Sequence, residues 1–348
     1  MSVPFTISPA QERGLLAAAR TGDELAYRGL VEPHRPALHA HCYRMLGSVH
    51  DAEDAVQETL LRAWRGLPRF EGRSSLRAWL YTIATNTCLN ALARRPKRVL
   101  PLDQGPAARL GEAPGRALVE SVWLEPYADE QQHIEDGYAT PEARYEQRES
   151  LELAFVAALQ HLPARQRAVL ILREVLGFSA RETAGSLETT VASVNSALQR
   201  ARKIVAELVP EQSQQVTLRA LGDDAVRKLA ERYADAIEQA DTATLLAMLT
   251  DDASWSMPPL ATWYHGREAI EAFLDGYPLR QRWRHLPTRA NGQLAVGCYM
   301  WDEERGCYAG EVIDVLTLRG GLIAEVTAFI FPELFERFGL PEELAPER

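Results

Sequence analysis

Ser48-Val49-His50-Asp51-Ala52-Glu53-Asp54-Ala55-Val56-Gln57-Glu58-Thr59-Leu60-Leu61-Arg62-Ala63-Trp64-Arg65-Gly66 is the stretch from which the rest of the chain can be read. Ser48 precedes an amphipathic run, Val49 to Gly66, whose apolar residues Val56, Leu60, Ala63 and Leu67 fall at helical spacing. The predicted exposed face begins with Asp51, Glu53, Asp54 and Glu58, and acids in a first turn favour a helix start through the macrodipole. No Lys or Arg lies between Val49 and Leu61. Like charges on one helix cost stability, so this face makes sense if a basic partner neutralises it.

Downstream, Gly66-Leu67-Pro68 and Glu71-Gly72 break the pattern, and Ser74 or Ser75 caps a second helix that runs to about Arg95 and stops at Pro96. The whole block from about Ala10 to Arg95 reads as helix after helix. Its loop, Arg69-Phe70-Glu71-Gly72-Arg73-Ser74-Ser75, sets bases beside the aromatics Trp64, Trp79 and Tyr81. Such a loop can neutralise phosphate and take up an unstacked base. The plain alternative makes all three aromatics core residues, and for Trp79 that reading is preferred. Asn86 follows Trp79 by two helical turns on the same face, placed to bond a base or to cap a buried carbonyl.

A second helical block runs from about Pro141 to Val209, with a helix boundary at Leu162-Pro163-Ala164-Arg165-Gln166. Ser179-Ala180-Arg181-Glu182 fits a capping box for a short helix ending near Leu187. Thr189 or Thr190 caps the next helix, with Val191, Val194, Leu198, Ala201, Val205 and Leu208 on one stripe. The other face shows Ser193, Asn195, Ser196, Gln199, Arg200, Arg202 and Lys203. A short capped helix, a tight turn and a longer helix with a polar-basic face make a helix-turn-helix. The second helix would offer base contacts near its N-terminus, with Arg200, Arg202 and Lys203 on phosphates.

Charge is sorted along the 348 residues. Residues 1–206 carry 25 Lys and Arg against 24 Asp and Glu, and residues 207–348 carry 13 against 24, a net of −11. Arg69 to Arg98 and His161 to Ala206 are basic islands, and Asp103 to Glu149, between them, is acidic. An overall −10 therefore does not argue against nucleic acid. Val99 to about Thr140 has no sustained periodicity and reads as a linker, apart from one island, Ser121-Val122-Trp123-Leu124-Glu125-Pro126-Tyr127, whose aromatics would be wasted unless the segment docks on something.

The last block, about Asp223 to Leu340, begins with predicted helices at Asp223–Gln239 and Asp241–Leu249. A short strand, Ala253 to Met257, and a helix near Gly266 to Leu274 follow, then strand-like runs at Arg282–Ala290, Gln293–Trp301, Gly306–Leu318 and Leu322–Phe331. Helices first and a curved antiparallel sheet afterwards define an α+β domain. No apolar run approaches the roughly 18–20 residues that span a bilayer, and Met1 to Ala10 lacks the blocks of a secretory signal. Four scattered cysteines offer neither a disulfide framework nor a metal site. A cytoplasmic protein without metal, cofactor or membrane attachment is expected.

Asp51-Ala52-Glu53-Asp54-Ala55-Val56-Gln57-Glu58, Trp64, Phe70 and Leu76 through Asn86 together resemble region 2 of bacterial sigma factors. Leu162-Pro163-Ala164-Arg165-Gln166-Arg167, with Gly177-Phe178-Ser179 through Arg202, resembles region 4. Both in this order are similar to the extracytoplasmic-function group, over about Leu15 to Val209. The resemblance implies that Asp51, Asp54, Gln57 and Glu58 bind the clamp helices of the polymerase β′ subunit and that region 4 meets the β flap. It also implies that Arg69, Phe70, Arg73, Ser74, Arg77 and Asn86 open the −10 element, and that the second helix of region 4 reads −35. One departure is Asn195-Ser196-Ala197, where many members have Lys-Ser-Arg, so fewer phosphate anchors are present.

Ser256-Met257-Pro258-Pro259 and Trp263-Tyr264-His265-Gly266 resemble the SnoaL-like members of the cone-shaped α+β superfamily, and sigma factors with such an appended domain carry a linker motif similar to Trp123-Leu124-Glu125-Pro126. The superfamily includes isomerases, cyclases and hydratases, which makes Asp235, His265 and Asp314 the candidate acid or base groups. The expected organisation is region 2 at 10–98, an acidic linker at 99–140, region 4 at 141–209 and a SnoaL-like domain at 220–340. The expected function is promoter-directed transcription initiation with core RNA polymerase, without catalysis of its own. In this reading the C-terminal domain regulates in cis through a pocket for a small molecule or peptide near Trp255, Met257, Trp263 and Tyr264, with Trp123, Leu124, Pro126 and Tyr127 as linker anchor. The alternatives are a SnoaL-type enzyme with a regulatory helical part, or a helix-turn-helix repressor; neither has use for an acidic docking helix followed by a melting loop.

Overall fold

The computed structural model describes residues 8–118, 123–129 and 149–346. Ser121 and Val122 of the aromatic island, and the expected start of the second helical block at Pro141, lie outside the described residues. The chain divides into two compact units, Met1–Lys97 with Gln131–Val209, and Arg98–Glu130 with Pro210–Arg348.

The first unit is helical. It contains α1 (Pro9–Arg20), α2 (Glu24–Val31), α3 (Arg35–Leu46), α4 (Val49–Gly66), α5 (Leu76–Leu92), α6 (Leu153–Gln160), α7 (Ala164–Leu170), α8 (Ala180–Ser186) and α9 (Val191–Leu208). Side-chain caps set the starts. Ser48 accepts from the Asp51 amide, Ser75 from Ala78 and Thr190 from Ser193, while Ser179 and Glu182 close a reciprocal capping box. The core of α4 is Ala52, Ala55, Val56, Thr59 and Ala63.

Arg167, at 3% exposure, ties this unit together. Its Nη1 donates to Gln160 Oε1 at 2.6 Å and to the Met45 carbonyl near the end of α3, and its Nη2 donates to the carbonyls of Gln160 (3.1 Å) and Leu162 (3.3 Å). A planar guanidinium is suited to several acceptors at once. Tyr81 of α5 meets Phe178 edge-on at 5.7 Å, and Thr82 shares a hydrogen bond with Ser186 of α8. His41 is wholly buried, 2.9 Å from Thr85 Oγ1; burial, with Arg44 and Arg77 nearby, pulls its pKa down to about 3.

The second unit has α10 (Gln214–Leu221), α11 (Asp223–Glu238), α12 (Thr242–Ala247) and α13 (Arg267–Gly276) against a seven-stranded sheet. Its strands are β1 (Leu249–Ser256), β2 (Trp263–His265), β3 (Trp283–Ala290), β4 (Gln293–Asp302), β5 (Cys307–Arg319), β6 (Leu322–Phe329) and β7 (Glu343–Leu344). The order is β2-β1-β6-β5-β4-β3, with β7 on β5, and every neighbouring pair is antiparallel except β1 with β6. Register shifts at Cys298/Tyr299 and Thr317/Leu318 bend the sheet. Helices and the inner sheet face share one core that includes Tyr233, Leu245, Trp255, Phe273, Leu316 and Val326.

The predicted helix Asp241–Leu249 is shorter than expected, because Leu249 pairs with Ile323 and opens β1 instead. At Gly310 and Gly297 an added Cβ would meet the Phe335 ring at 2.6 Å and Leu340 at 2.5 Å, so the closing C-terminal turns need bare backbone on β4 and β5.

Candidate functional sites

On α4, Asp54 and Gln57 are exposed and Glu58 is half-exposed, held by Arg62 at 2.6 Å. Asp51 differs from the expected exposed face. It is 9% exposed and forms an ion pair with Arg95, three residues past the end of α5, because the first turn of α4 sits against the chain that leaves α5. The outward acidic surface is therefore Asp54, Glu58 and half-buried Glu53, which pairs with Arg35 at 3.0 Å.

In the loop before α5, Arg69, Arg73 and Ser74 are exposed, and Arg73 pairs with Glu71. Phe70 is not available to a base in this arrangement. It is 8% exposed, its ring lies 4.8 Å from that of Trp79, and Arg20 covers it at 5.9 Å while donating to its carbonyl. Arg77 is half-buried between the rings of Tyr81 (5.0 Å) and Phe178 (5.2 Å), a cation–π sandwich rather than an exposed base. Asn86 is half-buried on α5.

The two faces of α9 separate cleanly. Val194, Leu198 and Ala201 are buried, and Ser193, Asn195, Ser196, Gln199, Arg200, Arg202 and Lys203 are all exposed. The apolar stripe is shorter than the spacing predicted, since Val191 (43%) and Leu208 (46%) are exposed at the two helix ends, where packing no longer covers them. Arg202 is held by Glu174 at 2.5 Å. Among the described residues Arg200 and Lys203 have no ion-pair partner, which leaves them available for phosphate.

In the second unit the linker is built into the domain. Trp123, Leu124, Pro126 and Tyr127 are buried, Leu124 and Tyr127 completely. Arg98 Nη1 donates to the Trp123 carbonyl at 2.7 Å and sits 3.5 Å from Glu125. Tyr127 exchanges two hydrogen bonds with Asn291, its amide donating to Oδ1 at 2.8 Å and its carbonyl accepting from the Asn291 amide at 2.7 Å. The Gly292 amide donates to Asp129 at 2.7 Å. Asn291 (φ +55°) and Gly292 (φ +71°) form the two-residue turn between β3 and β4, where positive φ is required.

An earlier part of the linker runs along β2. Ala108 donates to the Trp263 carbonyl and Trp263 Nε1 donates to the Gly105 carbonyl, at 2.8 and 2.9 Å. Tyr264 donates to the Glu112 carbonyl and the Gly115 amide to Thr262, at 2.9 and 2.8 Å. Trp263 and Tyr264 thus hold linker, whereas Trp255 and Met257 line a cavity of about 450 Å³.

Of the three acid–base candidates, only Asp314 reaches that cavity. Asp235 faces solvent on α11, and His265 is exposed as the last residue of β2, where strand alternation turns it to the face opposite Tyr264. Asp314 is buried, and its Oδ2 accepts from Tyr233 Oη at 2.8 Å and from Cys298 Sγ at 3.3 Å. Burial raises its pKa despite those two bonds, and raises those of Tyr233 and Cys298 as well. His285 also lines the cavity; Glu238 Oε1 takes both its ring Nδ1 (3.1 Å) and its amide (2.7 Å). The sequence reading missed Tyr233, Glu238, His285 and Cys298, because only the packing of α11 on β3, β4 and β5 brings them together. Among the described residues no group of His, Cys, Asp or Glu could hold a metal ion, and no helix is long and apolar enough to cross a membrane.

Two helical modules ending in a helix-turn-helix and an α+β domain on the same chain define a transcription initiation factor of the sigma class. Matching family models are sigma-70 region 2 over residues 30–98, sigma-70 region 4 over residues 152–205 and a SnoaL-like domain over residues 230–326. The chain belongs to the extracytoplasmic-function RNA polymerase sigma factors. It is 43% identical over 340 residues to the sigma factor SigG of Mycobacterium tuberculosis, covering 94% of this chain and 86% of that protein. It is 30% identical over 186 residues to SigW of Bacillus subtilis, covering 53% of this chain and 89% of that one. The crystal structure of the Mycobacterium tuberculosis extracytoplasmic-function sigma factor SigJ shares the fold, with TM-score 0.56 at 20% identity, covering 88% of this chain and 97% of that chain. As a sigma factor the protein binds core RNA polymerase and promoter DNA and directs initiation.

Proposed function

We propose that α9 reads the −35 element, with Ser193, Asn195, Ser196 and Gln199 toward base edges and Arg200, Arg202 and Lys203 on phosphates. The observation that carries this reading is the division of α9 into a buried Val194–Leu198–Ala201 stripe and a fully exposed polar-basic face. Asp54, Gln57 and Glu58 dock on the β′ clamp helices, with Asp51 fixing α4 from inside, and region 4 meets the β flap. Arg69, Arg73 and Ser74 meet the −10 strand first; Arg77, Phe70 and Asn86 join only when their present packing opens. These roles accompany domain limits of 10–98, 99–140, 141–209 and 220–340, and action in the cytoplasm.

The C-terminal domain regulates in cis by holding the linker that joins regions 2 and 4, through Trp123, Leu124, Pro126 and Tyr127. Linkage on one chain keeps even a weak contact populated. The domain binds rather than catalyses, and nucleotidyl transfer belongs to the polymerase.

The test of the −35 assignment is duplex binding as a function of salt. Arg200→Ala is expected to weaken all sequences alike and lower the salt slope by about 1, while Gln199→Ala changes the preferred base. A change of specificity by Arg200→Ala with an unaltered slope overturns the assignment.

A further inference from the structure

Phe70 is a buried side chain in an exposed run. Pro68, Arg69 and Glu71 to Ser75 face solvent, whereas Phe70 is 8% exposed. If this ring is to meet a base of the −10 strand it must first leave its seat, so whatever holds it there sets how readily the strand is taken up. One side of the seat is Trp79, with its ring 4.8 Å away. Trp79 in turn rests on Gly66, where an added Cβ would come within 3.2 Å of the indole. The other side is Arg20, at the end of α1. Its Nη2 donates to the Phe70 carbonyl, and its guanidinium carbon stands 5.9 Å from the ring centre.

Arg20 comes from outside the segment that matches region 2, which begins at residue 30. It reaches the loop because α1 and α2 form a hairpin that grips the end of α4. Within the hairpin, Leu15 lies 3.7 Å from where a Cβ on Gly29 would stand, and Ala19 is buried. On α2, the Tyr27 ring is 4.8 Å from that of Trp64, and its hydroxyl donates to the Leu60 carbonyl at 2.5 Å. Tyr27 thus holds the helix just before the loop, and Arg20 holds the loop itself.

The balance at this seat is close. Stacking one base on an aromatic side chain is worth about as much as burying that side chain, so exchanging one for the other is nearly neutral. A charged donor on the Phe70 carbonyl then decides the direction. Arg20 is solvent-exposed, so letting go of the carbonyl returns its charge to water.

We propose that Arg20 is a positioning residue for promoter melting, a latch that holds Phe70 on Trp79 and lets go when the −10 strand takes the ring. The inference rests on the assignment of Phe70 to the −10 element.

The test uses the full chain reconstituted with core RNA polymerase. Its template is a promoter fragment that this holoenzyme retains from genomic DNA, with 2-aminopurine placed in the −10 element. Arg20→Met keeps the apolar stem and removes the donor. Opening, read by 2-aminopurine fluorescence, is expected to speed about three- to tenfold, the worth of one hydrogen bond. The single-stranded non-template −10 oligonucleotide of the same promoter is expected to bind tighter by a similar factor. Salt high enough to screen exposed charges keeps the lost cation out of the comparison. Arg20→Lys retains the charge and a donor and stays within about twofold of the parent protein. Binding to the −35 duplex is unchanged in both variants. In a Phe70→Ala background the gain from Arg20→Met disappears, because no ring remains to be released. A substitution that merely loosens the fold does not tighten binding of the single strand.

Opening and single-strand affinity unchanged or lowered by Arg20→Met, or a gain that persists in the Phe70→Ala background, overturns the latch. Single-strand binding left at the parent level by Phe70→Ala alone overturns instead the assignment of Phe70 to the −10 element.

Discussion

Asn291 supplies two of the hydrogen bonds that fasten the Trp123–Asp129 segment to the sheet, and replacing it separates two physical effects. Its Oδ1 accepts the amide of Tyr127, a residue with no exposed surface. Removing that oxygen leaves a buried N–H unpaired, which costs about 1–3 kcal/mol. Asn291 also stands at φ +55°, where an alanine pays an additional ~1 kcal/mol and glycine pays nothing. Asn291→Gly is therefore expected to loosen the linker by about 1–3 kcal/mol and Asn291→Ala by about 2–4 kcal/mol. Hydrogen exchange of residues 123–129 in the full chain reads this directly, since each 1.4 kcal/mol is a tenfold loss of protection. The core strands β4 and β5 are expected to keep most of theirs in the glycine variant. Unchanged protection of the Tyr127 amide in both variants refutes the anchoring argument, and equal losses in the two refute the backbone-strain part of it.

Three other perturbations follow from buried groups. His41 has its pKa lowered from 6.5 to about 3 by burial, so the unfolded chain binds the proton first and stability is lost as pH falls below about 6.5. The loss reaches about 2 kcal/mol by about pH 5, and denaturant midpoints against pH for the protein and His41→Gln show it as a difference that vanishes near neutrality. Arg167→Met strands the carbonyls of Met45, Gln160 and Leu162 and the Gln160 side chain; a loss of about 3 kcal/mol or more is expected, and urea unfolding within experimental error of the parent protein contradicts the hub. Gly310→Ala drives a methyl to 2.6 Å from the Phe335 ring, a destabilisation of about 1–3 kcal/mol that Phe335→Leu should partly relieve in the double variant.

Local chemistry was legible in the sequence. Ser48, Ser75, Ser179 with Glu182, and Thr190 are caps whose partners lie three residues away, so each helix start carries its own signal. The polar-basic face of α9 follows from a period of 3.6, and the strand runs from Trp283 to Phe329 follow from alternation and turns. Those patterns define two helical modules and an α+β domain, and the motifs on them define a sigma factor.

Only the tertiary structure decided which side chains are used up inside. Asp51, Phe70 and Arg77 belong to motifs that read as outward-facing, yet Arg95, Trp79 and Phe178 claim them from elsewhere in the chain. Spacing along a helix shows which residues share a face but not what packs on it. The cavity is the extreme case: Tyr233 and Asp314 are 81 residues apart and Glu238 and His285 are 47 apart. A hydrogen bond is set by distance and direction in space, and strand register, which shifts every side chain to the opposite face when it slips by one residue, is fixed only when the whole sheet assembles on its core.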